Sequence, residues 1–267
     1  MNISLAQTRL DLDNRPRAKR VGLIILATCH SSEPDFQAFV AGPDVGVYTA
    51  RIFYENPTTP ENLLKTLPRL TEAASLIFPG QELDAICYSC TSASMVIGDD
   101  AVADAIRAAK PGVPVVTPTR AVVAGLQALG AHKVDVLTPY NRQTSTMMAD
   151  YIAAAGFDVP RLTYFGLEDD RDMARISPAS LVEAAAEAVS PDSDALFISC
   201  TALRAASAAA DIEAAIGKPV VTSNLATTWM VREIAGIDSA VASTARLFAQ
   251  RLLGIVMPLS RVGIRHG

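Results

Sequence analysis

Apolar positions along the chain fall into short continuous runs that alternate with longer segments of helical spacing. Because most of the runs are continuous rather than interrupted by polar residues, they predict parallel strands that are buried on both faces. This alternation predicts right-handed βαβ units and a doubly wound α/β fold. We predict strands at residues 21–27, 45–52, 85–88, 113–117, 134–138, 161–165, 195–199 and 220–222. We predict helices at residues 60–74, 101–109, 121–129, 143–155, 178–189, 205–215 and 226–235.

Capping residues support these helix boundaries. Thr59 is suited to the N-cap of the first predicted helix, and Pro60 is suited to its first position. Glycine adopts the left-handed conformation that ends many helices, so a glycine after a helical segment predicts a stop. Such glycines follow four of the later segments, at Gly130, Gly156, Gly217 and Gly236.

One segment of the sequence occurs twice. Ser89-Cys90-Thr91 and Ser199-Cys200-Thr201 each follow an Asp-Ala pair and an apolar strand, and each leads through a helix to a Pro-Val-Val-Thr strand. A duplicated unit predicts two pseudo-symmetric, doubly wound α/β lobes with parallel sheets and an active site in the cleft between them, since ligands bind at the carboxyl ends of such strands. We divide the chain into a polar N-terminal arm (1–20), a first lobe (21–130) whose C-terminal elements can cross over, and a second lobe (131–267).

Composition excludes several classes of protein. The chain has 267 residues, of which 50% are hydrophobic and 19% charged, so it has enough apolar surface for a folded core. Its net charge of −5 shows that the chain lacks the excess of basic residues typical of a nucleic-acid-binding protein. The apolar run at 21–27 is too short to span a membrane, and no signal-peptide pattern precedes it. Four sparse cysteines favour free thiols, so we expect a cytoplasmic protein.

The repeated motif puts a cysteine at the end of a buried strand in each lobe. Backbone N–H groups at the start of a following helix can bind a carboxylate or enolate oxygen, and they can lower the pKa of a thiol. Two facing thiols can remove a proton from one side of a flat intermediate and return one to the other side. Alternatively, one thiolate adds to a double bond while the other thiol donates a proton, or both cysteines are simply buried structural thiols. The N–H groups would come from Thr91 and Ser92 beside Cys90, and from Thr201 and Ala202 beside Cys200.

Other chemical motifs are weak or missing. Cys87 and Cys90 form a Cys-x-x-Cys pattern, but zinc would need two further ligands, and the other cysteines and the histidines are scattered along the chain. Cys87 lies inside a predicted strand, so we interpret it as a core residue. The sequence contains no phosphate-binding glycine loop and no Gly-x-Ser-x-Gly elbow. We therefore expect neither a metal nor another cofactor.

Several motifs together resemble one known group of enzymes. The most specific are the Asn-Pro-x-Thr-Pro-Glu-Asn-Leu stretch within 55–63 and the paired Cys-Thr motifs. They resemble the aspartate/glutamate racemase superfamily, in particular the branch of maleate cis-trans isomerases, arylmalonate decarboxylases and isomerase-like proteins of ectoine utilisation. The resemblance implies a pseudo-symmetric two-lobed fold and cofactor-free chemistry next to a substrate carboxylate. The matching pieces are residues 22–25, 33–36, 55–63, 90–93, 96–98, 138–140, 173–175, 200–204 and 222–224.

The resemblance also implies roles for individual residues. Cys90 and Cys200 match the two catalytic cysteines of the family, and Tyr140 matches a carboxylate-binding tyrosine of the maleate isomerases. Arylmalonate decarboxylases are similar but keep only the second cysteine, with a glycine at the first. Because Cys90 is present, the resemblance favours an isomerase or racemase over a decarboxylase.

Two loops depart from the pattern of the maleate isomerases. Cys29, followed by His30, stands where those enzymes have a substrate-contacting asparagine, and Asp170 is the nearest match to a second one. An acidic residue repels a dicarboxylate, so a carboxylate that also carries an amino, amide or hydroxyl group fits better, including an ectoine-derived amino acid. We expect Thr28, Cys29 and His30 to bind substrate, although His30 fits a solvated loop equally well.

Three hypotheses about function follow. The leading one is a cofactor-independent isomerase or racemase that acts next to the carboxylate of a small amino, hydroxy or dicarboxylic acid. The second is a lyase of the arylmalonate decarboxylase type, and the third is a non-catalytic protein that binds a small carboxylate. The expected partner is a small carboxylate rather than nucleic acid or a membrane, and a homo-oligomer is left open.

Overall fold

Two parallel four-stranded sheets form the framework of the protein. The computed structural model describes residues 1–241 and 243–253. The first sheet has the order β2-β1-β3-β4 and the second β6-β5-β7-β8, with every neighbouring pair parallel. The two halves therefore repeat one topology, which confirms the fold class that the duplicated motif predicts. The strands are β1 (Lys19–Leu26), β2 (Val45–Ile52), β3 (Ala85–Ser89), β4 (Val115–Val116), β5 (Val134–Tyr140), β6 (Leu162–Leu167), β7 (Ala195–Ile198) and β8 (Val220–Thr222).

Helices connect the strands and cover the sheets. The longest have 13 residues, and in the described ranges no helix is both long and apolar enough to cross a membrane. Short 3-10 helices lie at Leu67–Arg69 and Arg246–Ala249. The α-helices are α1 (Ser32–Phe39), α2 (Pro60–Leu64), α3 (Leu70–Leu76), α4 (Thr91–Ile97), α5 (Asp99–Arg107), α6 (Pro118–Ala128), α7 (Arg142–Ala154), α8 (Asp170–Arg175), α9 (Pro178–Ala188), α10 (Ala205–Ile216) and α11 (Ser223–Ala235).

The predicted strands are all present, within a few residues of their predicted bounds. Strand β1 begins at Lys19, inside the segment predicted as an arm. Gly217 and Gly236 end α10 and α11 in the left-handed conformation, with φ of 73° and 61°, as predicted. Apolar spacing did not indicate α1 or α8, because both helices are short and carry few apolar residues.

The single helix predicted at 60–74 is wrong. Thr59 does cap α2, since its Oγ1 accepts a hydrogen bond from the backbone N–H of Asn62 at 3.4 Å. Pro68 then prevents a continuous helix, because it lacks an N–H and its ring would clash with the carbonyl of Leu64. The segment is divided into α2, a 3-10 helix and α3.

The core of the first half lies around β1 and β3. Ile24 and Ile25 of β1 are fully buried, as is Cys87 in β3. A Cβ at Gly22 would lie 2.8 Å from Cγ1 of Ile86, so the glycine allows these two strands to pack closely. Cys87 has no exposed surface, and its position agrees with a role in packing.

The helix α11 crosses from one half to the other. It follows β8 of the second sheet, yet it packs against α6, β3 and α1. Arg232 near its C-terminus donates from Nη1 to the carbonyl of Phe39 at the end of α1, at 2.8 Å. The helix that ends the second repeat therefore covers the first sheet. The proposed boundaries of the arm and lobes remain a prediction, and residues 254–267 of the second lobe lie outside the described residues.

A buried carboxyl group lies in the contact between α1 and α11. Asp35 accepts a hydrogen bond at Oδ2 from Nδ2 of Asn224, at 2.7 Å. Burial raises the pKa of Asp35 to about 7, and the hydrogen bond from Asn224 opposes that rise. The neutral form of Asp35 is therefore favoured in the folded protein up to near-neutral pH.

We expect Cys87→Ser to lower the free energy of unfolding by about 1–3 kcal/mol, because it buries a hydroxyl group in an apolar core. Urea denaturation measures this loss. The rate at which iodoacetamide alkylates Cys90 should stay the same. A variant as stable as the parent would contradict the role of Cys87 in the core.

We expect Asp35→Asn to change how stability depends on pH. The pKa of Asp35 is raised on folding. Asp35 therefore contributes most to the free energy of unfolding below about pH 4, and this contribution is lost as pH rises towards 7. The free energy of unfolding of the variant should not fall in this way, and above pH 7 it should exceed that of the parent by up to about 4 kcal/mol. Urea denaturation across this pH range measures it, with Asp104→Asn on an exposed position as the control. Parallel pH profiles for parent and Asp35→Asn would refute it.

Candidate active site

The carboxyl ends of strands from both sheets meet around one pocket. Its cavity has a volume of about 20 Å³, room for about one water molecule, so a larger ligand can enter only if the lining side chains move apart. Nine of the eleven site residues selected from the sequence lie along it. The lining residues are Leu26, Cys29, Tyr54, Thr58, Cys90, Thr91, Ser92, Tyr140, Asp170, Met173, Cys200, Thr201 and Ala202.

Two of the selected residues lie elsewhere. Thr28 donates from Oγ1 to the carboxylate of Asp170, so it supports a pocket residue without lining the pocket itself. His30 is exposed and borders a separate outer cleft with Arg171, Arg175 and Arg204. The structure therefore does not bring Thr28 or His30 into the pocket, and of the first loop only Cys29 reaches it.

Four lining residues were missed by the sequence analysis. Tyr54 follows β2, and its hydroxyl donates to Oγ1 of Thr58 at 2.9 Å. Thr58 and Met173 belong to stretches that carry the family resemblance, so that motif is the signal that could have identified them. Leu26 ends a buried strand, and no feature of the sequence distinguishes it from a core residue.

Cys90 lies at the end of β3 and is the N-cap of α4. Its side chain is buried, and the Oγ of Ser92 lies 3.8 Å from Sγ. Burial raises the pKa of the Cys90 thiol to about 11, while the backbone N–H of Ala93 and the Ser92 hydroxyl lower it. The start of α4 therefore supplies donors to the sulfur, but they are the Ala93 N–H and the Ser92 hydroxyl rather than the predicted N–H groups of Thr91 and Ser92, and burial outweighs them.

Cys200 follows β7 with a different backbone. Its φ is 101°, a value that non-glycine residues rarely adopt. The helix α10 begins only at Ala205, so Thr201 and Ala202 lie in a turn and not at the helix start that the sequence predicted. The backbone N–H of Ala202 nevertheless donates to Sγ of Cys200 at 3.3 Å.

The net shift of the thiol pKa is upward for both cysteines, although the hydrogen-bond donors at each sulfur lower it in part, as expected. Burial raises the pKa of Cys200 to about 12, and the Ala202 N–H and the Tyr140 hydroxyl only partly oppose it. A thiolate is costly here because the pocket removes it from water. Both cysteines are therefore neutral thiols near neutral pH.

Tyr140 brings a hydroxyl group to the same pocket. It ends β5, is almost fully buried, and its hydroxyl lies 3.2 Å from Oγ of Ser199. Burial raises the pKa of Tyr140 well above its ordinary value, and the nearby Cys200 adds to this rise. The phenol therefore remains protonated and can donate a hydrogen bond to an anionic ligand.

Asp170 begins α8 and carries the one formal charge among the pocket-lining residues that the structure describes. Asn56 donates from Nδ2 to its Oδ1 at 2.8 Å, and the backbone N–H of Asp170 donates to Oδ1 of Asn56 at 3.2 Å. With Thr28 on the other carboxylate oxygen, the side chain is held in place on two sides. The pocket thus combines two thiols, a phenol and one fixed carboxylate. Within residues 1–241 and 243–253, no group of three or more His, Cys, Asp and Glu residues could hold a metal ion.

Sequence comparison relates the chain to two kinds of enzyme. It is 33% identical over 127 residues to the arylmalonate decarboxylase of Bordetella bronchiseptica, a match that covers 47% of this chain and 53% of that protein. This alignment thus spans about half the length of that relative. The chain is 27% identical over 180 residues to the maleate isomerase of Pseudomonas putida, covering 63% of this chain and 70% of that protein.

Solved structures of both kinds of enzyme share the fold of this chain. The structure superposes on a liganded double mutant of arylmalonate decarboxylase with a TM-score of 0.77 and 26% identity, over 86% of this chain and 98% of that one. It also shares its fold with the maleate isomerase Iso of Pseudomonas putida S16, with a TM-score of 0.75 and 24% identity over 88% and 98% of the two chains. The sequence model of the arylmalonate decarboxylase family matches residues 59–248, most of the chain, so this protein belongs to that family.

Proposed function

We propose that the protein is a cofactor-independent isomerase that acts next to the carboxylate of a small amino or hydroxy acid, with Cys90 and Cys200 as its acid and base. The observation that carries the proposal is that equivalent strands of the two sheets each bring one cysteine to a single pocket. Two thiols in one small pocket can act on opposite faces of the same carbon atom. Arrangements of this kind support proton transfer without any cofactor.

The chemistry is a balanced exchange of protons. One thiolate removes the proton from the carbon next to the carboxylate, and the electron pair of the broken C–H bond passes into the carboxylate to form an enolate. The opposite thiol delivers its proton to the other face, which inverts the carbon and leaves that sulfur as the thiolate. With an unsaturated acid, one thiolate adds to one carbon of the double bond while the other thiol donates a proton to the neighbouring carbon. Rotation about the new single bond, return of that proton to the second sulfur and release of the first thiolate then give the other geometric isomer. The phenol of Tyr140 donates to the oxygen on which negative charge develops.

The charge in the pocket favours a substrate with an ammonium group. Asp170 raises the pKa of both Cys90 and Cys200, so a dicarboxylate would oppose thiolate formation still further. An ammonium group beside Asp170 would neutralise that carboxylate and favour the thiolate. A small amino acid, such as one derived from ectoine, therefore fits better than maleate. A hydroxyl group can also donate to Asp170, but it brings no compensating charge.

A decarboxylase is the second candidate, because both the family model and the Bordetella bronchiseptica relative have that activity in their names. Loss of carbon dioxide would pass through the same kind of enolate. The presence of Cys90 argues against it. One solved relative is described as an arylmalonate decarboxylase in which a glycine has been changed to cysteine and a cysteine to serine, so the unmodified enzyme has glycine where the first change was made.

We expect the protein to act in the cytoplasm. All four cysteines are free and buried, and free thiols persist in a reducing compartment. A homo-oligomer stays a prediction from the sequence.

Cys90→Ser and Cys200→Ser should each lower kcat by about 10²–10⁴-fold, because each removes a positioned acid–base group. Proton NMR in D₂O with a panel of small amino and hydroxy acids measures exchange at the carbon next to the carboxylate. Cys87→Ser is the matched control and should keep its turnover. If Cys90→Ser were fully active and the product had lost a carboxylate, the protein would be a decarboxylase that uses Cys200 alone.

Asp170→Asn should reverse the preference for charge in the substrate. We expect kcat/KM for an amino acid substrate to fall about 10–100-fold, because a hydrogen bond between two charged groups is lost. Binding of maleate should improve, since a carboxylate no longer faces it. The proton NMR assay measures kcat/KM, and a thermal-shift panel of amino, hydroxy and dicarboxylic acids measures binding, with Asp172→Asn on the exposed side of α8 as the control. Preferential binding of maleate by the parent protein would contradict an ammonium site at Asp170.

A further inference from the structure

We propose that Asn224 is a positioning residue for Cys200: its amide group holds the peptide between Thr201 and Ala202 so that the N–H of Ala202 points at the sulfur. Asn224 lies at the start of α11 and does not line the pocket. The proposal rests on the role of Cys200 proposed above. It adds a residue from the crossing helix that acts through the backbone and does not touch substrate.

The planarity of one peptide group carries the argument. The carbonyl oxygen of Thr201 and the N–H of Ala202 belong to the same trans peptide, so they point in opposite directions. Nδ2 of Asn224 donates to that carbonyl at 3.0 Å, and the N–H on the other side donates to Sγ of Cys200 at 3.3 Å. A donor on the carbonyl therefore fixes the direction of the N–H, and it also polarises the peptide towards a stronger N–H donor.

The amide of Asn224 is itself held in place. Its Nδ2 also donates to Oδ2 of Asp35 at 2.7 Å, so both hydrogens of the amide nitrogen are used. Its Oδ1 accepts from Oγ of Ser32 at 3.4 Å. Because the carbonyl oxygen of Thr201 can only accept a hydrogen bond, the nitrogen end of the amide has to face Thr201.

The two cysteines differ in a way that explains why only one needs such support. Cys90 is followed at once by α4, so the helix itself directs backbone N–H groups towards its sulfur. Cys200 is followed by a turn, and its backbone has the rare φ of 101°. No helix orients the Ala202 N–H, and among the side chains that donate to the Thr201 carbonyl Asn224 lies nearer, at 3.0 Å, than Ser32 at 3.4 Å. Ser31 supports the next peptide by donating from Oγ to the carbonyl of Ala202 at 2.7 Å.

The reactivity of the two thiols tests the proposal without any substrate. Asn224→Leu keeps the number and branching of the side-chain heavy atoms and removes both donors. Iodoacetamide alkylation of Cys200 and Cys90 is followed in the same sample by peptide mass spectrometry at increasing pH. We expect Cys200 to react about three- to tenfold more slowly, with its apparent pKa raised, because the thiolate has lost a hydrogen bond. Cys90 should be unaffected. Thr228→Val is the matched control, a buried change on α11 whose hydroxyl bonds only within the helix.

The other titratable groups that face Cys200 are Tyr140, Cys90 and Asp170, and none of them is altered in this comparison. An unchanged rate at Cys200, or equal changes at both thiols, would overturn the proposal, since a general loosening of the fold would affect both. If Asn224→Leu does not fold, Asn224→Ala is measured instead, with the same Thr228→Val control. Asn224→Ala should slow alkylation of Cys200 alone, and no change at Cys200 would equally overturn the proposal.

The result is separate from the proposed function. A selective shift at Cys200 together with no turnover of any acid in the NMR panel would support the positioning role and refute the isomerase. Turnover by the parent with no selective shift at Cys200 would support the isomerase and refute the positioning role.

Discussion

The hydroxyl group of Ser223 joins the two halves of the pocket. Its oxygen accepts from Oγ1 of Thr91, the residue after Cys90, at 2.8 Å, and from the backbone N–H of Cys200 at 3.1 Å. Ser223 can occupy this point only because α11 crosses from the second sheet to the first. The approach of the two cysteines therefore depends on this crossing helix, whose N-terminus is buried between the ends of the two sheets.

Burial of the two cysteines makes their thiolate forms less stable. The enclosed pocket that allows two thiols to face one small molecule also removes them from water, which raises the pKa of each. Backbone N–H groups and the phenol of Tyr140 recover part of the loss. Under the proposed function the substrate supplies the rest of the stabilisation of the thiolate, so the charge of the substrate affects the rate of the reaction. Asp170 sharpens that dependence, because it adds a negative charge that a cationic group would neutralise.

The pocket also accounts for how one family can include both isomerases and decarboxylases. Both reactions pass through negative charge on a carbon next to a carboxylate, and hydrogen-bond donors stabilise that charge in the same way. The outcome depends on whether a second proton carrier lies on the opposite face. Under the proposed function Cys90 is that second proton carrier, and a single side chain at the end of β3 would then separate the two reactions.

The sequence alone determined the strands, most of the helices and the paired cysteines. Continuous apolar runs predict buried parallel strands from local pattern, and the repeat of Ser-Cys-Thr at equivalent positions predicts that Cys90 and Cys200 share a site. Glycines such as Gly217 stop helices by their own conformational freedom. These features depend on neighbours in the chain, and so they can be read from it.

Only the tertiary structure decided the environment of those residues. The left-handed backbone of Cys200, the direction of its pKa shift and the contact of Asn224 with Thr201 all depend on groups distant in sequence. Tyr54 and Met173 likewise reach the pocket from loops whose paths the apolar pattern does not define. Burial and hydrogen-bond geometry are properties of assembled elements, because they depend on which surfaces meet after the helices and sheets have packed.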